Sequence, residues 1–155
     1  MNEIILHYPR LTFTSGNQFV WSPGRRTVFY DETEFDTARG RLALLHEIGH
    51  AELDHQDYHS DLNLLNMEME AWEYAVSKAI EFGVAVDEAH IDRCLETYRV
   101  WLYKRSRCPE CDFHGIQLDP KHYRCFMCRH TWQVARTLSL QPNRSHCRPC
   151  QVPAL

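Results

Sequence analysis

Apolar and polar positions recur with a helical period in three stretches of the chain. Between about Thr37 and Leu53, the residues Leu42, Leu45, His46, Gly49, His50 and Leu53 fall at i, i+3, i+4, i+7, i+8 and i+11. That spacing predicts a helix, with Asp36 or Thr37 as its N-cap. A second helix is predicted from about Asn63 to Phe82, stopping near Gly83, with an apolar stripe of Leu65, Met69, Trp72, Val76 and Ile80. Asp87 caps a third, reaching about Tyr103. Its stripe of Ile91, Cys94, Leu95, Tyr98 and Leu102 makes Cys94 a core residue and not a ligand. Ahead of these helices, "NQFVWSPGRRTVFYD" (residues 17–31) reads as two β-branched, aromatic strands around a Pro23-Gly24 turn. The preceding "IILHYPRLTF" is a weaker strand or helix entry. Residues 106–133 look like a small separate module, residues 134–155 show little periodicity, and no internal repeat is apparent.

Short antiparallel strands, three helices and a terminal module imply an α+β protein. The expected division is 1–104 for the main domain, 105–134 for the module and 135–155 for a tail. With 155 residues, 44% hydrophobic and 25% charged, the composition is globular, and no apolar run is long enough to span a bilayer. The opening "MNEIILHYPRLTF" lacks the basic flank and apolar stretch of a signal peptide, so a cytoplasmic location with reduced thiols is expected. Charge is split unevenly. Residues 1–103 carry 8 Lys and Arg against 18 Asp and Glu, whereas residues 104–155 carry 9 against 3, so a net charge of −10 is followed by one of +6. The basic half suits an acidic protein face or nucleic acid.

The first helix contains "LLHEIGHAELDH", an H-E-x-x-H pattern. His46 and His50 lie one turn apart on the face expected to be buried, so both imidazoles can reach one zinc ion. Gly49 clears that face of a side chain, leaving room for metal or substrate. Glu47 sits roughly 100° round the helix, where a general base must be to take a proton from water on the metal. A catalytic zinc requires a third protein ligand and one open position. The zincin pattern with a His six residues past the second histidine fails, because Gln56 stands there. The second helix offers Glu68, Glu70 and Glu73. Glu70 and Glu73 share one flank of its stripe and Glu68 lies on another side, so helix geometry leaves Glu70 and Glu73 tied. Tyr74, His55, His59 and His90 are all candidates for stabilising an oxyanion.

"HEIGHAELDH" followed by "EMEAWEYA" resembles the ImmA/IrrE-type metallopeptidases over roughly residues 15–85. That resemblance implies a small gluzincin-like fold in which His46, His50 and Glu70 bind the catalytic zinc and Glu47 is the general base. Glu73 is then a candidate partner that orients a ligand histidine. The chain departs from the pattern after "YA", where "VSKAIEFGV" replaces the expected apolar stretch. The resemblance further implies an intracellular zinc endopeptidase cleaving a regulatory protein, a repressor or stress regulator. The aromatic hairpin resembles the edge strand on which such enzymes receive an extended peptide.

Cys108-x2-Cys111, thirteen residues, then Cys125-x2-Cys128 match a structural tetrathiolate zinc ribbon, so two zinc ions are expected, one catalytic and one structural. Around the ribbon, Lys104, Arg105, Arg107, Lys121, Arg124 and Arg129 interleave with Phe113, Tyr123, Phe126 and Trp132, a mixture suited to nucleic acid or to a protein substrate. Cys147 and Cys150 in the tail make half of a further site. Two other readings of function stay open. One is a SprT-like protease acting on DNA-bound proteins, although its Pro-His-Gly-type motif is missing from "DHQDYHSD". The other is a catalytically silent DNA-binding regulator. The oligomeric state is not legible.

Overall fold

A computed structural model of the chain describes residues 3–135. A short helix α1 (Glu3–His7) leads into β1 (Thr12–Gly16), β2 (Val20–Ser22) and β3 (Thr27–Asp31). The turn expected at Pro23-Gly24 is a single 3-10 turn over Pro23–Arg25, closed by Arg26 in the left-handed region (φ 48°). Three long helices follow: α2 (Ala38–Glu52), α3 (Asp61–Glu81) and α4 (Glu88–Ser106). The chain then forms β4 (Gly115–Asp119), β5 (His122–Cys125) and β6 (Thr131–Gln133). The architecture is α+β, with two small three-stranded sheets. The second is antiparallel throughout. In the first, β3 is central, pairing antiparallel with β2 but parallel with β1.

Each long helix starts where a side chain can accept its free N–H groups. Thr37 accepts from the Gly40 N–H, Ser60 from that of Asn63 and Asp87 from that of His90. Both α2 and α3 end in the same way. The residue after each C-cap is left-handed, Asp54 (φ 52°) and Gly83 (φ 61°). The next N–H returns to the helix, from His55 to the His50 carbonyl and from Val84 to that of Ala79. These are Schellman caps, in which the second residue past the cap is folded back onto the helix.

α2 is the central element. It packs on the first sheet and on α3, and every residue from Leu44 to Ala51 is buried. A helix covered on all sides needs no one-sided pattern. Its polar residues are tolerated only because they find partners.

The buried face of α3 differs from the expected stripe. Leu64, Glu68, Ala71, Ala75 and Ala79 face inward, with Met67 and Trp72 beside them. Met69 and Ile80 are exposed. Size explains the choice. A Cβ on Gly49 would stand 2.9 Å from the Ala71 carbonyl oxygen and 3.2 Å from the Tyr74 Cβ. Gly49 is therefore the point of closest approach between α2 and α3, and not a space kept for metal or substrate. Alanines on the facing side permit that approach, whereas larger residues would hold the helices apart.

One buried carboxylate gathers contacts from α4 and from the cysteine module. Asp61, the first residue of α3, is 2% exposed. It accepts hydrogen bonds from Arg105 Nε (2.6 Å), Tyr123 OH (2.7 Å) and Gln117 Nε2 (3.2 Å). Its own N–H donates to Gln117 Oε1 at 2.8 Å. The boundary expected after residue 104 falls inside α4, which continues to Ser106. None of the helices formed by the described residues is long and apolar enough to cross a membrane.

Candidate metal centres

The close contact at Gly49 brings three side chains together. His46 Nε2 and His50 Nε2 are 3.1 Å apart, and both point at Glu68, at 3.3 Å from Oε2 and 3.6 Å from Oε1 respectively. The three ligand atoms lie within 4.8 Å of one another, and all three residues are buried. Two nitrogens on a tetrahedral zinc would be about 3.3 Å apart, given bonds of roughly 2.0–2.1 Å. The donor set and its spacing therefore fit one metal ion.

Electrostatics favours the same use. Burial holds His50 below the ordinary imidazole range, opposed in part by Glu68, so the ring is kept in the neutral form a ligand requires. Burial alone would push the Glu68 carboxyl up. The adjacent His46 leads in reversing this, and the carboxyl is held well below the usual carboxylate range. Trp72 packs on the His46 ring at a tilt, with centroids 4.1 Å apart.

The third member corrects the sequence reading. Glu70, expected as the ligand, is 58% exposed at its side chain and bonds instead to His55 Nε2 at 3.0 Å. Glu73, expected to orient a ligand histidine, is exposed. Glu68, set aside as lying on another side of the helix, is the residue that meets the histidines. The reason is the alanine ladder described above. Glu68 stands one turn before Ala71 on the face that Gly49 allows to approach, whereas residue 70 projects outward from the helix pair. The overlooked signal was a run of small residues, Ala71, Ala75 and Ala79, at helical spacing.

Glu47 is fully buried beside His46. Its Oε2 accepts the backbone N–H of Trp21 at 2.6 Å, and its Oε1 has no hydrogen-bond partner. A buried carboxylate oxygen without a partner is costly unless something else occupies that position. Trp21 belongs to β2, one of the two edge strands of the first sheet, and its indole N–H donates to the His55 carbonyl at 3.0 Å.

Of the candidates for oxyanion stabilisation, Tyr74 shares a hydroxyl hydrogen bond with Tyr8 (3.0 Å), His59 is exposed, and His90 is buried edge-on to Trp72. His55 is joined to His50 by their Nδ1 atoms at 2.9 Å.

Cys108, Cys111, Cys125 and Cys128 form a second cluster, with Sγ–Sγ distances of 3.4–3.6 Å. Sulfurs on a tetrahedral zinc would be about 3.8 Å apart for bonds of roughly 2.3 Å. The two knuckles are built alike. A left-handed residue follows each, Asp112 (φ 62°) and Arg129 (φ 63°). Each first cysteine donates its N–H five residues ahead, Cys108 to the Phe113 carbonyl and Cys125 to that of His130. Burial opposes ionisation of Cys125, but backbone N–H groups of Cys128 and Met127 outweigh it and bring the thiol down to about 6. Its neighbours are driven the other way, Cys111 upward and Cys128 up to about 12, because crowded sulfurs resist ionising together without a cation.

The basic and aromatic residues around this module are not all on its surface. Arg105 is bound to Asp61, Tyr123 is buried against the same carboxylate, and Trp132 stacks on Tyr123 while donating to the Arg105 carbonyl. Phe113 and Phe126 are exposed. The Cys147 and Cys150 pair lies outside the described residues.

Compared with protein families, with curated proteins and with solved structures, the chain matches none of them.

Proposed function

We propose that the protein is a zinc-dependent endopeptidase of the ImmA/IrrE type whose catalytic ion is held by His46, His50 and Glu68, with a second, structural zinc on the four cysteines. The observation that carries this reading is the convergence of two imidazoles and a carboxylate beside a buried glutamate with one unpartnered oxygen. A silent scaffold would have no use for that oxygen. Zinc bound at such a site supplies a Lewis acid for the scissile carbonyl and an acidified water. The remaining chemistry belongs to the chain. Trp21 holds Glu47 by Oε2, which leaves Oε1 free to accept the proton of the attacking water and later to return it to the leaving amine. The outer rim of β2 meets the base at Trp21, whose N–H Glu47 already takes, so an extended peptide would pair with that edge beyond this residue.

The substrate class stays the one implied by the resemblance, a regulatory protein in the cytoplasm. At the ribbon, a protein partner is better supported than nucleic acid, because half of the interleaved aromatics and Arg105 are used internally. Glu47→Gln tests the proposal. It should abolish hydrolysis of a casein or peptide-library substrate while metal content, measured by elemental analysis, stays at the wild-type level. Hydrolysis surviving in this variant would mean another base, and a different mechanism.

A further inference from the structure

We propose that His55 and Glu70 are positioning residues that lock His50 in its Nδ1–H tautomer and so present the Nε2 lone pair to the metal. The inference rests on the reading of His46, His50 and Glu68 as a metal site. It is carried by a continuous chain of short contacts: His50 Nδ1 to His55 Nδ1 at 2.9 Å, then His55 Nε2 to Glu70 Oε2 at 3.0 Å.

The direction of that chain follows from its far end. A carboxylate can only accept, so His55 must carry its proton on Nε2. A neutral imidazole protonated there offers Nδ1 as an acceptor. His50 must therefore donate from Nδ1, and its Nε2 is left bare, facing Glu68 and His46. Reversed, the chain would place a proton on His50 Nε2, where a metal has to bind. One exposed carboxylate thus sets the tautomer of a buried ring through an intervening histidine.

The backbone explains how His55 comes to be there. It is the second residue past the C-cap of α2, the position that a Schellman cap folds back over the last turn. In most such caps this residue makes an apolar contact with the helix. Here the partner on the helix is His50, whose carbonyl accepts the His55 N–H, and the contact is a ring-to-ring hydrogen bond. The indole of Trp21 holds the His55 carbonyl from the other side. Both ends of the His50–His55 pair are therefore fixed before any metal arrives.

The test is zinc affinity by chelator competition on the full chain, read beside the 15N spectrum of its histidines without metal. His55→Ala should weaken binding at this site by about 10–100-fold and give His50 mixed tautomers. His55→Asn, which puts an acceptor oxygen at the position of Nδ1, should recover most of the affinity. Glu70→Ala should fall between wild type and His55→Ala. Wild-type affinity and an unchanged tautomer in His55→Ala would overturn the inference. So would equal losses in His55→Ala and His55→Asn, which would mark the contact as packing alone. If Glu68→Ala binds as much zinc as the wild type, the metal-site reading itself fails and the inference with it.

Discussion

Replacing Glu68 with alanine is expected to take the protein from about two bound metal ions per chain to about one, whereas replacing Glu70 should leave about two. The two glutamates sit two positions apart on one helix, so their contrast is a strict test of which face of α3 meets α2. Glu68 is 2% exposed and lies within 3.6 Å of both ligand nitrogens. Losing it leaves two imidazoles, too few to hold zinc against competing chelators. Glu68→Gln keeps the shape and removes the charge, so a loss of metal there as well excludes a collapsed pocket as the cause. Elemental analysis after dialysis against a mild chelator reads the result. Two ions retained in Glu68→Ala with one lost in Glu70→Ala would restore the ligand set expected from the resemblance and reject the geometry described here.

Asp61→Ala is expected to cost about 3–5 kcal/mol, the usual penalty for removing one partner of a buried ion pair. Three donors converge on this carboxylate, and the strongest, the Arg105 guanidinium, is itself only 11% exposed. Without Asp61 that charge has no acceptor in its place, and the Tyr123 hydroxyl and the Gln117 amide lose theirs too. Burial and Asp61 together push the Tyr123 phenol well above its ordinary range, so it remains a hydrogen-bond donor across the physiological pH range. Asp61→Asn, which retains an acceptor oxygen, should cost less. Denaturant unfolding of the metal-loaded proteins measures both differences. A midpoint for Asp61→Ala equal to that of the wild type would show that the ribbon is not anchored through this contact. Because Asp61 begins the helix that carries Glu68 two turns later, the same variant should also weaken metal binding at the histidines.

Much of this architecture was legible in the chain. The caps at Thr37 and Asp87, the hairpin around Pro23-Gly24 and the four cysteines all declare themselves by local chemistry, which needs no knowledge of distant partners. His46, His50 and Glu47 were legible for the same reason, being fixed by the pitch of a single helix. The third member of the cluster was not. It depends on which side of α3 turns inward, and hydrophobicity pointed to Met69 and Ile80 while packing chose Ala71, Ala75 and Ala79. Gly49 is ambiguous in the sequence, because a gap on a helix looks the same whether a metal or a neighbouring backbone is to fill it. Residues on the ribbon were read as surface because charge and aromaticity do not reveal a docking partner elsewhere in the chain. Asp61 was therefore missed, and with it the burial of Arg105 and Tyr123. In the sequence His55 stands only among the loop histidines that could reach the metal or stabilise an oxyanion. Its role depends on a left-handed aspartate at position 54, which no residue preference announces.

The indole of Trp72 packs against the imidazole of His46 at a 30° tilt, with ring centres 4.1 Å apart. A cation arriving at the far edge of that imidazole would therefore alter the electric field felt by a chromophore the protein already carries. Trp72 is buried, so bulk solvent contributes little to its emission. Filling and emptying of the histidine site can accordingly be followed by intrinsic fluorescence, without dye or label, with a Trp72→Phe protein as the blank.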